Sequence, residues 1–207
     1  MEAMGGREAF VAALDDVLAR PPSICESDRR GMYHEMREMK LADIGQYAHG
    51  NQPAQHMLYL YNWCGEPWKA QYWVREVMNR LYSPTPDGYC GDEDNGQTSA
   101  WYVWSALGFY PVCPASGQYA LGSPAAARAE IRMPSGKTLV IEAKDASRSR
   151  YVEGVAFNGR AVNANWLSAA DLAKGGRLVF RMSSKAVKTR GTTLAAAPYS
   201  MSKDEKK

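Results

Sequence analysis

The 207-residue chain lacks any apolar run of the roughly 18 residues that a membrane-spanning helix needs. It also lacks a basic-then-apolar leader with a small-residue cleavage site, and Met1 to Gly6 passes directly into a helical pattern. On the sequence alone, either the protein is not exported or its true beginning lies upstream. The four cysteines, Cys25, Cys64, Cys90 and Cys113, form no C-x-x-C pair, which argues against a zinc knuckle or redox couple and for packed thiols. Histidine is scarce, and His34, His49 and His56 fall within 23 residues of one another. The run from His34 to Glu38 begins like H-E-x-x-H but ends in glutamate, and Pro53 separates His49 from His56. A structural histidine is the commoner fate of each.

No basic cluster with a recognisable motif is present either. The net charge of +3 is unevenly built: Met1 to Cys113 holds 15 acids and 9 bases, the remainder 7 acids and 16 bases. Those bases are spread along candidate strands and a tail, Ser202 to Lys207, so nucleic-acid binding is not expected. No internal repeat is evident.

What is there divides into two textures. Gly6 to Ala19 reads as an amphipathic helix ended by Pro21-Pro22. Ser23 to Arg30 is a polar connector, and Gly31 to Met39 supports one or two helical turns. Pro53 opens a helix to about Trp63, Pro67 another to Tyr82, and a third follows Gly96 and stops at Gly108. After Tyr110 come strand-like runs at 129–133, 138–142, 151–157 and 177–182, with Asn158-Gly159 as a hairpin signal. The expected class is α+β: a helical front part, residues 1–113, a small antiparallel β unit, residues 114–198, and a disordered tail, residues 199–207.

The organising stretch is Gly88 to Tyr110, in which Asp92, Glu93 and Asp94 sit between Gly91 and Gly96 and an aromatic helix follows. Glycines let the chain turn sharply, and carboxylates before a helix are favoured by its positive end. An EF-hand starting at Asp92 would need glycine sixth and glutamate twelfth, but Gln97 and Val103 stand there. The loop is either a solvated acidic turn or a place to hold an ion or deprotonate a water. Fourteen of the 18 Trp and Tyr residues lie between Tyr33 and Tyr110, interleaved with His, Asn and Gln. Flat rings edged by such groups match the apolar face and hydroxyl rim of a sugar. Two carboxylates are the minimum equipment for glycoside hydrolysis. Asp92 and Asp94 are too close in sequence to flank a bond with confidence, leaving Glu35, Glu38 and Glu66 as local candidates for an opposing acid.

The stretches Tyr33 to Met39, Gly45 to Pro53, Tyr59 to Trp63 and Gly91 to Val112 resemble glycoside hydrolase family 92, as does Met4 to Phe10. The resemblance implies a calcium-dependent, inverting exo-α-mannosidase acting on a mannose-containing glycan such as mannan or an N-glycan. It implies that Asp92 and Asp94 are the catalytic base, and that His34 and Glu35 match a His-Glu pair that favours α-1,2 linkages. It further implies that His49, Asn51 and Gln52 lie beside bound mannose and that Glu38 lies beside calcium. Family members are several times longer, with a β-sandwich followed by an (α/α)6 toroid, and their general acid lies upstream of every residue here. The expectation is therefore a C-terminal portion: the last toroid helices, then the β unit. Such a chain is expected to be inactive alone, to need its missing N-terminal part, and to come from a secreted or periplasmic enzyme. The alternative is a non-catalytic carbohydrate-binding fragment.

Overall fold

The computed structural model describes residues 1–22 and 34–201. The connector expected over Ser23 to Arg30, the residues Gly31 to Tyr33, Cys25 and the tail after Met201 lie outside the described residues. The chain falls into two compact units, Met1–Met57 with Glu76–Tyr102, and Leu58–Arg75 with Val103–Lys207.

In the first unit, helix α1 (Arg7–Ala19) buries Leu14 and Leu18. Its end is fixed by the loop at 43–47, because the Gln46 backbone amide donates to the Val17 carbonyl at 2.7 Å. That approach needs a glycine next door. A Cβ at Gly45, where φ is 59°, would stand 2.5 Å from the Leu18 carbonyl carbon. Helix α2 (His34–Ala42) is longer than the one or two turns expected to stop at Met39. The Arg80 guanidinium donates to the Ala42 and Asp43 carbonyls, satisfying acceptors that a helix end leaves open. Helix α3 (Pro67–Arg80) starts on its proline, and helix α4 (Gln97–Leu107) stops at Gly108, whose φ is 98°. Each of these two helices begins in one unit and ends in the other.

The helix expected from Pro53 to Trp63 is instead two 3-10 segments, Gln52–Ala54 and Met57–Asn62. A reason is visible at Gln55, whose carbonyl accepts the Trp101 indole N–H at 3.1 Å rather than an amide one turn on.

The second unit holds two sheets. Strands β1 (Phe109–Tyr110), β2 (Gln118–Leu121) and β7 (Trp166–Ser168) form a three-stranded sheet in the order β1-β2-β7. Strands β3 (Arg128–Arg132), β4 (Thr138–Glu142), β5 (Tyr151–Phe157), β6 (Arg160–Ala161) and β8 (Gly176–Ser183) form a second in the order β3-β4-β8-β5-β6. The β unit is therefore not purely antiparallel: β4 and β8 run parallel, with Leu139 opposite Gly176. The long crossover between them, which includes the short helix α5 (Ala169–Leu172), permits what a hairpin would forbid. Asn158 and Gly159 both have positive φ and form the expected tight turn between β5 and β6. Leu139, Ile141, Val152, Leu178 and Phe180 fill the core with Phe109, Leu121 and Leu167.

Helical residues belong to this second unit too. The Gln71 carbonyl oxygen accepts the Val152 amide at 3.0 Å, and the buried Arg75 guanidinium donates to the Pro124 and Ala146 carbonyls. Tyr199 is tied rather than disordered, for its carbonyl accepts the Trp63 indole N–H and its amide donates to Gln118. Of the described cysteines Cys64 is buried, Cys90 half-buried and Cys113 exposed, so Cys113 is not a packed thiol.

Candidate active site

The three consecutive acids of the Gly91–Gly96 loop have two different fates. Glu93 turns back onto the start of α4, where Oε2 accepts the Gly96 amide at 2.6 Å and Oε1 accepts the Ser99 amide at 3.3 Å and the Ser99 hydroxyl. These bonds hold the Glu93 carboxyl below the usual carboxylate range, the Ser99 hydroxyl contributing most. Asp92 and Asp94 are exposed, and among the described residues neither carboxylate makes a hydrogen bond or an ion pair. The alternation follows from geometry: fixing the middle side chain on the helix end leaves its two neighbours outside. Asp94, Asn95 and Gly96 all have positive φ, at 57°, 56° and 96°. Two of them are not glycine, so the loop holds backbone strain of the kind that collects at functional sites.

Glu38 on α2 is where the other candidate segments meet. Its carboxylate fills a notch between two glycines. A Cβ at Gly50 would overlap Oε2, and one at Gly91 would stand 2.7 Å from Oε1 and 2.9 Å from the Gly50 Cα. Oε2 is buried without a hydrogen-bond partner among the described residues. Burial raises the Glu38 carboxyl above its ordinary range; His34 opposes that, while Glu35 and Asp92 add to it. Calcium takes six to eight oxygens, and a desolvated, unpartnered carboxylate oxygen suits one of those places. Among the described residues, no three His, Cys, Asp or Glu side chains converge as a metal-holding group.

The remaining predicted residues are spread between surface and core. His34 is exposed at the head of α2, with Nε2 3.3 Å from Glu35 Oε1. Asn51 and Gln52 are half-buried at a turn, and neither side chain has a hydrogen-bond partner among the described residues. His49 is different. It is 1% exposed, Nδ1 meets the Tyr47 hydroxyl at 2.8 Å, Nε2 meets the Tyr82 hydroxyl at 2.7 Å, and Trp101 stands edge-on at 4.3 Å. Burial lowers its pKa to about 3. Both ring nitrogens are occupied, so the His49 ring serves the packing beneath the loop and has no face left for a sugar. Glu66, one candidate acid, pairs with Lys69 at 2.7 Å. Tyr82 and Thr98 were not singled out as site residues in the sequence. A threonine on the first turn of α4 was the available signal, and its buried bonding is visible only in the fold.

Comparison with known proteins follows the same lines. Residues 1–184 match the glycosyl hydrolase family 92 catalytic domain. A family GH92 inverting mannosidase from Bacteroides thetaiotaomicron superposes with a TM-score of 0.82 at 46% identity, over 97% of this chain and 27% of that one. A GH92 α-mannosidase from the same organism, solved in complex with mannoimidazole, gives a TM-score of 0.83 at 36% identity over 95% of this chain. An uncharacterized secreted glycosidase of Arthroderma benhamiae is 22% identical over 179 residues. The chain spans about a quarter of the length of these solved relatives and a fifth of the curated one. With the family model covering most of its residues, the chain belongs to glycosyl hydrolase family 92.

Proposed function

We propose that this chain is the carboxy-terminal portion of a calcium-dependent, inverting exo-α-mannosidase with α-1,2 preference. The observation that carries the reading is the loop itself: Asp92 and Asp94 are exposed and, among the described residues, their carboxylates are unbonded, while the acid between them is committed to the helix. In the complete enzyme these two carboxylates take a proton from a water lying against the mannose ring. The water oxygen bonds to the anomeric carbon as the bond to the leaving oxygen breaks. A glutamic acid from the preceding part of the polypeptide protonates that oxygen. Carboxyl groups in an inverting pair stand roughly 6.5–9.5 Å apart to admit the water.

Glu38 is the residue proposed to hold calcium, with its buried Oε2 against Gly50 and its Oε1 against Gly91. A bound calcium would supply Lewis-acid grip on sugar hydroxyls and strain on the ring. The mannoimidazole complex of the relative supports mannose as the sugar. The His34–Glu35 pair supports the α-1,2 preference. The name of the fungal relative supports an exported enzyme. No helix among the described residues is long and apolar enough to cross a membrane.

The test compares α-1,2-mannobiose hydrolysis by the full-length enzyme and by the 207-residue chain, with calcium and with chelator. Calcium-dependent hydrolysis by the full-length enzyme alone supports the proposal. Hydrolysis by the short chain, or indifference to chelator, contradicts it. The alternative, a non-catalytic carbohydrate-binding fragment, predicts that the short chain binds mannose in a titration without turning over any glycoside.

A further inference from the structure

Among the described residues the Asp92 carboxylate makes no hydrogen bond, but its backbone is held. Thr98, fully buried on the first turn of α4, donates its hydroxyl to the Asp92 carbonyl at 3.0 Å and its amide to the Glu93 carbonyl at 3.1 Å. The same hydroxyl accepts from Gln55 Nε2 at 3.4 Å, and Gln55 Oε1 accepts from Gln97. The Thr98 carbonyl accepts the Tyr82 hydroxyl at 3.2 Å.

Counting protons fixes the direction of the rest. A carbonyl only accepts, so Tyr82 spends its single O–H on Thr98. The Tyr82 oxygen must then accept from His49 Nε2, which therefore carries the ring proton. That leaves His49 Nδ1 as the acceptor for the Tyr47 hydroxyl. The chain runs one way, from Tyr47 through His49 and Tyr82 to Thr98, and Thr98 passes on to Asp92. Tyr47, His49 and Thr98 of this chain, and Gln55 beside it, are 0–1% exposed, and Tyr82 is half-buried.

We infer that Thr98, backed by this buried chain, is a positioning residue that sets the Asp92–Asp94 loop at the height its chemistry needs. The inference rests on the mannosidase reading. Two consecutive non-glycine residues at positive φ persist only where their surroundings over-determine them, and the bonds to Asp92 and Glu93 are the anchors at that end of the loop. The geometry is demanding, since a displacement of about 1 Å in a catalytic group can cost on the order of a hundredfold in rate.

The experiment uses the full-length enzyme with Thr98→Val, Thr98→Ser and Tyr82→Phe on α-1,2-mannobiose, with thermal midpoints alongside. Valine keeps the shape and removes the donor, so kcat is expected to fall about 30- to 100-fold with KM within about twofold. Serine is expected to restore kcat to within about threefold, a rescue that packing alone would not give. Added to Asp94→Asn, Thr98→Val should cost no more than about twofold further, because the group it positions is already disabled. Unchanged kcat in Thr98→Val, or serine no better than valine, overturns the inference. If Thr98→Val gives no cooperative melt, Tyr82→Phe carries the test with an expected loss of about 3- to 10-fold in kcat, and an unchanged kcat overturns it. If the wild type fails to hydrolyse any mannoside, the mannosidase reading fails instead. Amide exchange at residues 92–96 then decides the positioning role: about tenfold faster in Thr98→Val but not in Thr98→Ser supports it, and equal rates in all three overturn it.

Discussion

Glu93 Oε2 lies 2.6 Å from the amide nitrogen of Gly96, and that bond separates the middle acid of the loop from its neighbours. Charge alone would make Asp92, Glu93 and Asp94 equivalent. Geometry makes one a helix cap and leaves the other two carboxylates exposed.

Glu93→Ala is accordingly expected to lower the thermal midpoint by a few degrees and to speed amide exchange at Gly96 and Ser99. The Glu93 carboxyl is depressed below 4.5, so its stabilisation is present above that pH and is lost as pH falls through its folded value. The difference in midpoint between wild type and Glu93→Ala should therefore shrink as pH drops below about 4.5, followed by calorimetry over pH 3 to 7. A constant difference would mean that the cap is not the source.

Asp92→Asn and Asp94→Asn should leave stability within about 0.5 kcal/mol of wild type, because both side chains are exposed and unbonded among the described residues. Denaturant titration checks this directly. A loss of several kcal/mol in either variant would mean that the carboxylate is holding the fold rather than waiting for a substrate.

His49 carries the opposite expectation. Replacing it by phenylalanine strips a partner from the buried Tyr47 hydroxyl and one from the half-buried Tyr82 hydroxyl and should cost about 3 kcal/mol. Its pH signature is also defined. With a folded value of about 3 against 6.5 unfolded, the unfolded chain binds one more proton between those limits. Stability should then fall steadily as pH drops below about 6.5, levelling off near 3. His49→Phe should lose that slope; an identical slope in the variant would place the titrating group elsewhere.

Gly50→Ala tests the notch. The added methyl overlaps the far end of a flexible side chain, so Glu38 can swing away at modest cost to stability. The expected result is a weakening of about tenfold or more in the calcium concentration needed for activity, equal to that of Glu38→Gln and not additive with it. Additive losses would show that position 50 acts without Glu38.

The helices opened by Pro67 and following Gly96 and the hairpin at Asn158-Gly159 were legible because each is local. Proline starts, glycine stops and strand alternation are written within a few residues. The parallel pairing of β4 with β8 was not legible, because it joins segments more than thirty residues apart and no turn announces it. The burial of His49 was hidden for a related reason. In the sequence it sits in a polar loop beside Asn51 and Gln52, while its partner Tyr82 is 33 residues away. Similarly, 53–63 reads as one helix until Trp101 claims the Gln55 carbonyl. In the sequence Glu38 stands out only as one of three candidate acids and, through the family resemblance, as a residue beside calcium; its seat between Gly50 and Gly91 required the fold.

The most direct measurement is proton NMR of the first-formed sugar anomer during hydrolysis of an α-1,2-linked mannoside by the full-length enzyme, run beside Asp94→Asn. The account predicts β-mannose as the initial product in the wild type and a rate in the variant lower by about a thousandfold or more. Initial release of α-mannose, or an Asp94→Asn enzyme that turns over at the wild-type rate, would contradict it.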